Sequence, residues 1–150
     1  MPMAELLLYC ADRAQHLAEV VRPALAAGRV VVCDRFSDST VAYQGHGRGL
    51  DLGTVRTLDR HARGDLTPHL TFLLDCPVTE GLARARSRGS TDRFERETVA
   101  FHERIRAGFL ALAAESSERY CILDSTQPMD IVRAQVIAAT EARLARTRGA

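Results

Sequence analysis

The chain has 150 residues and a formal net charge of +1 at neutral pH, with 46% hydrophobic and 26% charged residues. These values are ordinary for a soluble globular protein, and the length suffices for one domain with a real core. A net charge this small gives no global field that would attract nucleic acid or an anionic membrane. We therefore expect a single domain over residues 1–150, with neither a nucleic-acid nor a membrane partner.

Four cysteines are scattered along the chain, and no two of them form a CxxC pair. This spacing favours buried thiols over a zinc site. The sequence shows no signal peptide and no long apolar span. Together with the scattered thiols, these features predict a protein of the reducing cytoplasm.

The segment Glu5–Ala27 predicts an amphipathic helix, because apolar side chains recur there at helical spacing. Pro23 is expected to disturb its last turns and Gly28 to end it. Tyr9 and Arg13 are four residues apart and share one face of this helix. Two interpretations stay open for them: a half-buried tyrosine beside a solvated arginine, or an aromatic face and a donor that bind a base.

The β-branched run Val30–Cys33 predicts a buried parallel strand, which ends at Asp34 and Arg35. Ligands of open α/β sheets bind beyond the carboxyl ends of the strands. The flat guanidinium of Arg35 fits phosphate oxygens, and the carboxylate of Asp34 is a hard ligand for Mg²⁺ or for a water bound to it. Taken alone, the pair is equally compatible with a surface ion pair.

A longer block that begins at this pair closely resembles the DR(Y/F/H) block of bacterial thymidylate kinases. The residues that carry the resemblance are Asp34-Arg35-Phe36, Asp38-Ser39-Thr40, Ala42-Tyr43-Gln44-Gly45 and Gly47-Arg48-Gly49-Leu50. The match is long and ordered, so it is far more specific than a single short motif.

The resemblance implies a role for each polar side chain of this region. Arg35 would be catalytic and would bind the acceptor phosphate of dTMP, while Asp34 would support Mg²⁺, directly or through water. Thr40 would approach the pyrimidine edge, and Tyr43 would pack under the sugar and disfavour a ribose 2′-hydroxyl. The residues expected to hold the nucleoside are Tyr9, Arg13, Thr40, Tyr43 and Gln44.

Alternating helices and strands are predicted for the rest of the chain. Strands are expected at Leu70–Cys76 and Arg119–Asp124, and helices at Asp51–Arg63, from Thr79 onward, at Glu97–Ala114 and at Met129–Arg146. This alternation indicates an α/β fold with a parallel sheet. The resemblance implies a three-layer, P-loop-kinase-like sheet with helices on both faces.

Alternate arginines and a Gly-Ser-Thr stretch follow the Thr79 helix, which suggests a basic loop. A solvated charged face and a nucleic-acid patch are the two general interpretations, and interleaved acids without an aromatic ladder oppose the patch. The resemblance implies instead the lid that supplies arginines for phosphoryl transfer. Arg86 and Arg88 would then be catalytic, and the residues that would contact ATP are Arg84, Arg86, Arg88 and Arg93.

The family begins with a strand, a phosphate loop, a helix and a second strand, and we expect this segment to be missing here. No GxxxxGK(S/T) motif occurs, and the sequence contains no lysine at all. The fold would then lack its first strand-loop-helix-strand segment. The strands at residues 30–33 and 70–75 would expose unpaired edges.

The expected function is phosphoryl transfer from MgATP to dTMP, giving dTDP, in a homodimer with Mg²⁺ and ATP as cofactor and co-substrate. The activity of this short chain alone is left open by the missing loop. The alternative is a non-catalytic nucleotide-binding chain or a partner-dependent kinase remnant. A deoxynucleoside kinase is a further alternative, which the neighbourhood of Tyr43-Gln44-Gly45 and Gly47–Leu50 opposes.

Overall fold

The computed structural model describes residues 1–87 and 97–148. Contacts within the chain divide it into two compact units, Met1–Thr67 and Pro68–Ala150. The single domain expected over residues 1–150 stays a prediction. Within the described ranges, no helix combines the length and the apolar character needed to cross a membrane.

The first unit begins with a continuous helical stretch whose middle turn is widened. The Pro23 nitrogen carries no hydrogen, so it cannot donate to the carbonyl of Glu19 four residues earlier. The helix accommodates this with a π-helical turn directly before the proline. The disturbance predicted at Pro23 is confirmed, and so is the end at Gly28, which has a φ of +70°. The segments are α1 (Pro2–His16), a π-helical turn (Leu17–Val21) and α2 (Arg22–Ala26).

The second half of this unit contains a helical region at residues 37–47 and the predicted helix at residues 51–63. The segments are α3 (Ser37–Thr40), a π-helical segment (Val41–Gly47) and α4 (Leu52–Arg63). Asp51 caps α4, because its side chain accepts a 2.7 Å hydrogen bond from the Thr54 amide. Helix α1 packs against α4. The buried apolar core of the unit is formed by Leu6, Leu17, Val21, Val41, Ala42 and Val55.

The strand predicted at Val30–Cys33 is wrong. These residues are in no ladder, and Val30 and Val32 are 71% and 93% exposed. The β-branched composition does favour an extended backbone, but a strand also needs a neighbour to accept and donate its backbone hydrogen bonds. Among the described residues the ladder is formed by Thr71–Asp75 and Tyr120–Asp124 alone, and residues 30–33 run as an irregular connection.

The second unit contains a parallel pair of strands with helices packed against it. Strands β1 (Thr71–Asp75) and β2 (Tyr120–Asp124) run from the pair Thr71↔Tyr120 to the pair Asp75↔Asp124. Helix α6 (Val99–Glu115) packs against β1 and α5 (Val78–Ser87), and α7 (Met129–Arg148) packs against β2. All five elements were predicted, with ends that differ by a few residues. The parallel register agrees with the expected fold class.

A bidentate ion pair fixes the carboxyl end of β1. Arg106 donates from Nε to Asp75 Oδ1 at 2.7 Å and from Nη2 to Asp75 Oδ2 at 2.8 Å. These bonds hold the pKa of the Asp75 carboxyl below its ordinary value. The pair therefore ties α6 to the sheet as long as Asp75 is ionised.

The pH dependence of unfolding is expected to reveal this pair. Because the folded pKa of Asp75 is lowered, its contribution to stability is complete above the unfolded pKa of about 3.9 and is lost as the pH falls through the folded pKa. Urea unfolding between pH 3 and 7 checks this. The difference in unfolding free energy between wild type and Asp75→Asn should be constant near neutrality and shrink in acid. A difference that stays constant down to pH 3 would contradict it.

Candidate functional site

The guanidinium of Arg13 is the centre of a hydrogen-bond network in the first unit. Arg13 Nη1 donates to Asp59 Oδ1 at 2.9 Å, and Nη2 donates to Thr40 Oγ1 at 2.7 Å and to the Phe36 carbonyl at 3.4 Å. The guanidinium also lies over the Phe36 ring, 5.6 Å from its centroid. Helices α1, α3 and α4 therefore meet at one side chain, which is only 11% exposed. The predicted Arg13 and Thr40 are brought into direct contact.

Tyr9 lies one helical turn before Arg13 on α1 and is 41% exposed. The four-residue spacing places both side chains on the same side of the helix. The solvated arginine of the first interpretation does not occur, because Arg13 is mostly buried and hydrogen-bonded. An accessible aromatic ring beside a fixed donor is the arrangement that a base-binding pair requires.

Arg35 adopts a backbone conformation that side chains rarely take. Its φ is +65°, and among the described residues it alone combines a positive φ with a side chain. The Cys33 thiol donates to its carbonyl at 3.2 Å. Such strain is typical of functional sites, where the surrounding structure holds the unusual conformation in place.

The side chain of Arg35 lies over the ring of Tyr43. The guanidinium carbon is 5.0 Å from the ring centroid. The residue itself stays exposed, as does Asp34. The predicted phosphate ligand and the predicted sugar contact are therefore paired, with the donors of Arg35 accessible from solution.

Gln44, which follows Tyr43 in the second π-helical segment, contacts α1. It is buried, and its Nε2 donates to Glu5 Oε1 at 2.8 Å. The Nε of Arg48 lies 3.5 Å from the same carboxylate oxygen. Gln44 thus joins the second π-helical segment to α1. Its contact with a nucleoside stays a prediction.

Sequence reasoning missed Asp59, although the sequence carried a signal for it. Asp59 falls on the same face of α4 as Leu52, Val55 and Ala62, at helical spacing. A carboxylate on an apolar stripe has to find a partner when the helix packs. The structure shows Asp59 3% exposed, with Arg13 on one oxygen and Arg63 on the other.

The predicted lid arginines belong to the second unit. Arg84 Nη1 donates to the Ser125 carbonyl at 2.8 Å, and its Nη2 is paired with Glu80. Arg86 is exposed on the last turn of α5 and has no side-chain partner in the described part of the chain. Arg88 and Arg93 lie outside the described residues.

The first unit therefore offers two guanidinium groups with different environments. Arg13 is mostly buried and fixed by three partners, which suits a neutral acceptor such as a ring carbonyl. Arg35 is exposed and planar, which suits a charged, multidentate acceptor such as phosphate. Within the described ranges, no group of three or more His, Cys, Asp or Glu residues could hold a metal ion by itself.

Comparisons with known proteins agree on one family. Residues 1–136 match the family model described as thymidylate kinase. The thymidylate kinase of Pseudomonas fluorescens is 55% identical over 148 residues, which cover 99% of this chain and 70% of the relative. That of Desulfovibrio desulfuricans is 53% identical over 150 residues, which cover 95% of this chain and 69% of the relative.

A solved structure gives the same result at the level of the fold. The crystal structure of thymidylate kinase from Ehrlichia chaffeensis superposes with a TM-score of 0.73 at 28% identity, and the match covers 94% of this chain and 65% of that one. The predicted α/β, P-loop-kinase-like fold class is confirmed. The chain spans about two thirds of that structure's length.

Proposed function

Because the chain belongs to the thymidylate kinase family, we propose that the protein transfers the γ-phosphoryl group of MgATP to dTMP, giving dTDP. One observation about this chain supports the proposal most directly. Two arginine-centred pairs occur in one compact unit: Arg13 with Thr40, and Arg35 with Tyr43. The first has the chemistry of a base site and the second that of a sugar-phosphate site.

The base site would be formed by Tyr9, Arg13 and Thr40. The accessible ring of Tyr9 would stack on the pyrimidine. Arg13 has only donors, so it would bind the edge of the base where a carbonyl oxygen accepts. Thymine presents such oxygens, whereas cytosine presents an amino group at the corresponding position. The hydroxyl of Thr40 is held by Arg13 at 2.7 Å and would complete this edge, with Gln44 supporting the helix behind it.

The phosphate site would be formed by Arg35, with Tyr43 under the sugar. The exposed guanidinium can donate two parallel hydrogen bonds to phosphate oxygens. The cation–π contact with Tyr43 limits where the guanidinium can go, so less side-chain entropy is lost when the phosphate binds. The same ring would leave no room for a ribose 2′-hydroxyl.

The exposed carboxylate of Asp34 fits a magnesium site of the kind found in phosphoryl-transfer enzymes. Mg²⁺ usually keeps several waters and is held by one or two carboxylates together with substrate phosphates. A single carboxylate beside a phosphate-binding arginine is therefore sufficient. When bound, the ion would offset the negative charge of the ATP phosphates.

The arginines after β1 would act on the group being transferred. Phosphoryl transfer depends mostly on positioning and on neutralising negative charge that spreads in the transition state. Arg86 is exposed and available to neutralise this charge, and Arg88 would be the second arginine to do so. Arg84 and Arg93 would contact ATP. A cytoplasmic homodimer is part of the same proposal and is supported by the family resemblance alone.

An assay with two acceptors tests the proposed reaction. The chain is incubated with MgATP and either dTMP or thymidine, and the products are separated by anion-exchange chromatography. We expect dTDP from dTMP and no phosphorylation of thymidine, because thymidine has no phosphate group to which Arg35 could bind. Phosphorylation of thymidine in preference to dTMP would instead indicate a deoxynucleoside kinase.

A nucleotide-binding chain without turnover is the second candidate. The observation that favours it is that the Arg13–Thr40 and Arg35–Tyr43 pairs both lie within residues 1–67, so the proposed dTMP site is formed by the first unit alone. Isothermal titration with dTMP separates the two candidates. Binding of dTMP without formation of dTDP supports the second, and binding with turnover supports the first.

A further inference from the structure

We propose that Asp59 is a positioning residue that orients Arg13 toward the pyrimidine base and thereby sets the preference for thymine over cytosine. The inference rests on the proposed function, because it concerns the base site of dTMP. Asp59 lies on α4, away from the block of residues that carries the family resemblance. Its carboxylate oxygen Oδ1 lies 2.9 Å from Arg13 Nη1.

Asp59 is itself held in place by a second arginine. Its other oxygen, Oδ2, accepts from Arg63 Nε at 2.8 Å. Arg63 in turn donates from Nη1 to the carbonyls of Gly64 at 3.2 Å and Leu66 at 3.1 Å. The carboxylate therefore has a fixed orientation, because the end of α4 holds one of its oxygens and leaves the other for Arg13.

Burial makes the contact between Asp59 and Arg13 strong and specific. The two side chains are 5% and 11% exposed. A charged hydrogen bond in such surroundings is weakly screened by water, and a buried charge that loses its partner is costly. Arg13 without Asp59 would therefore turn toward solvent or keep its position at the expense of stability. Once it turns toward solvent, its orientation toward a base is no longer defined.

The N–H groups that Arg13 has left explain how its orientation selects a base. Arg13 has five N–H groups, of which one is used by Asp59, one by Thr40 and one by the Phe36 carbonyl. The Nε hydrogen and one Nη1 hydrogen are left, in the described part of the chain, for a ligand. Both are donors, so each can meet an acceptor of the base but not another donor. Either one matches the carbonyl oxygen at ring position 4 of thymine and opposes the amino group that cytosine has at that position.

The variant Asp59→Asn tests the role of the carboxylate with little change in shape. An amide has one acceptor for two arginine donors, so Asn cannot satisfy Arg13 and Arg63 together. We expect the Kd for dTMP, measured by titration calorimetry well below the melting temperature, to rise about 10-fold or more, as for the loss of a charged hydrogen bond. The Kd for dCMP should change little, so discrimination between the two nucleotides should fall. The exposed Asp65→Asn is the matched control and should leave both Kd values unchanged.

A double-mutant cycle separates positioning from a purely structural role. If Asp59 acts through Arg13, its replacement should weaken dTMP binding no further in an Arg13→Gln background. A structural role would lower the melting temperature in both backgrounds and leave the Kd of the folded protein unchanged, and that result would overturn the proposal. If Asp59→Asn does not fold, Arg63→Gln carries the test, since it leaves the carboxylate in place and removes the arginine that holds its other oxygen, together with that arginine's bonds to the carbonyls of Gly64 and Leu66. An unchanged Kd for dTMP in Arg63→Gln would then overturn the proposal.

The proposed function and the proposed role of Asp59 are refuted by different results. Wild-type protein that does not bind dTMP would refute the proposed function, and the role of Asp59 with it. If wild type and Asp59→Asn bind dTMP with the same Kd, only the role of Asp59 is refuted.

Discussion

Replacing Arg35 with alanine is expected to raise the Kd for dTMP about 100-fold and to leave the Kd for thymidine nearly unchanged, because the bidentate charged bonds to the phosphate are lost while the base site is intact. The guanidinium is exposed and over Tyr43, so its removal opens no cavity in the core. Titration calorimetry with the two ligands measures the phosphate-dependent part of the affinity directly. An equal loss for dTMP and thymidine would show that Arg35 does not bind the phosphate.

Two matched variants sharpen this experiment. Arg35→Lys keeps the positive charge but loses the planar fork, so we expect its Kd for dTMP to lie between those of wild type and Arg35→Ala. Arg60 is an exposed arginine in the last turn of α4. Arg60→Ala makes the same change in net charge, and the binding of dTMP should not respond to it. If Arg60→Ala weakened binding as much as Arg35→Ala, the effect would be one of overall charge.

The strained backbone of Arg35 allows stability and binding to be separated. A residue with a side chain at φ +65° costs about 1–3 kcal/mol, which glycine does not pay. Arg35→Gly should therefore lose dTMP affinity as Arg35→Ala does, yet melt at a higher temperature than Arg35→Ala. Equal melting temperatures of the glycine and alanine variants would mean that the conformation is not strained.

Local patterns predicted most of the secondary structure, because local chemistry decides it. The cap at Asp51 and the proline at position 23 act through the backbone of their own helix, so their effects could be inferred from the neighbouring residues. The strands at Thr71–Asp75 and Tyr120–Asp124 also formed where apolar runs predicted them. What those runs could not provide was the pairing partner.

The missing pairing partner explains why the strand predicted at Val30–Cys33 did not form. Its composition is as β-branched as that of a buried strand, but a strand exists only when another backbone accepts and donates its hydrogen bonds. Whether such a neighbour lies beside a segment depends on the tertiary fold, and no local pattern encodes it. In the described part of the chain no neighbour is present, and the valines at 30 and 32 are exposed.

The candidate site was predictable as a set of residues but not as a network. Spacing placed Tyr9 near Arg13, and the family resemblance added Arg35, Thr40 and Tyr43. Which partners hold each arginine depends on how α4 packs on α1, so Asp59 could be recognised only as an acid on an apolar stripe. The burial of Gln44 against Glu5 depends on the same packing.

Arg86→Ala is expected to lower kcat for dTDP formation on the order of 10³-fold, the effect typical of removing an arginine that neutralises the transferred phosphoryl group. The KM for dTMP should change little, since the proposed role of Arg86 is to neutralise charge that develops in the transition state and not to bind dTMP. A coupled assay with MgATP and varied dTMP measures both constants. A raised KM with an unchanged kcat would place Arg86 in substrate binding instead of transfer.

Arg84, two residues before Arg86 on the same helix, provides the matched comparison for Arg86→Ala. Its guanidinium is already used by the Ser125 carbonyl and by Glu80, so reaching a phosphate would cost it both contacts. Arg86 has no such contacts among the described residues, and its donors are available without that loss. Arg84→Ala should therefore reduce kcat much less than Arg86→Ala, and Arg133→Ala, at an exposed position on α7, should not reduce it. A larger effect at Arg84 would mean that its contacts with Ser125 and Glu80 are exchanged for the phosphate during transfer.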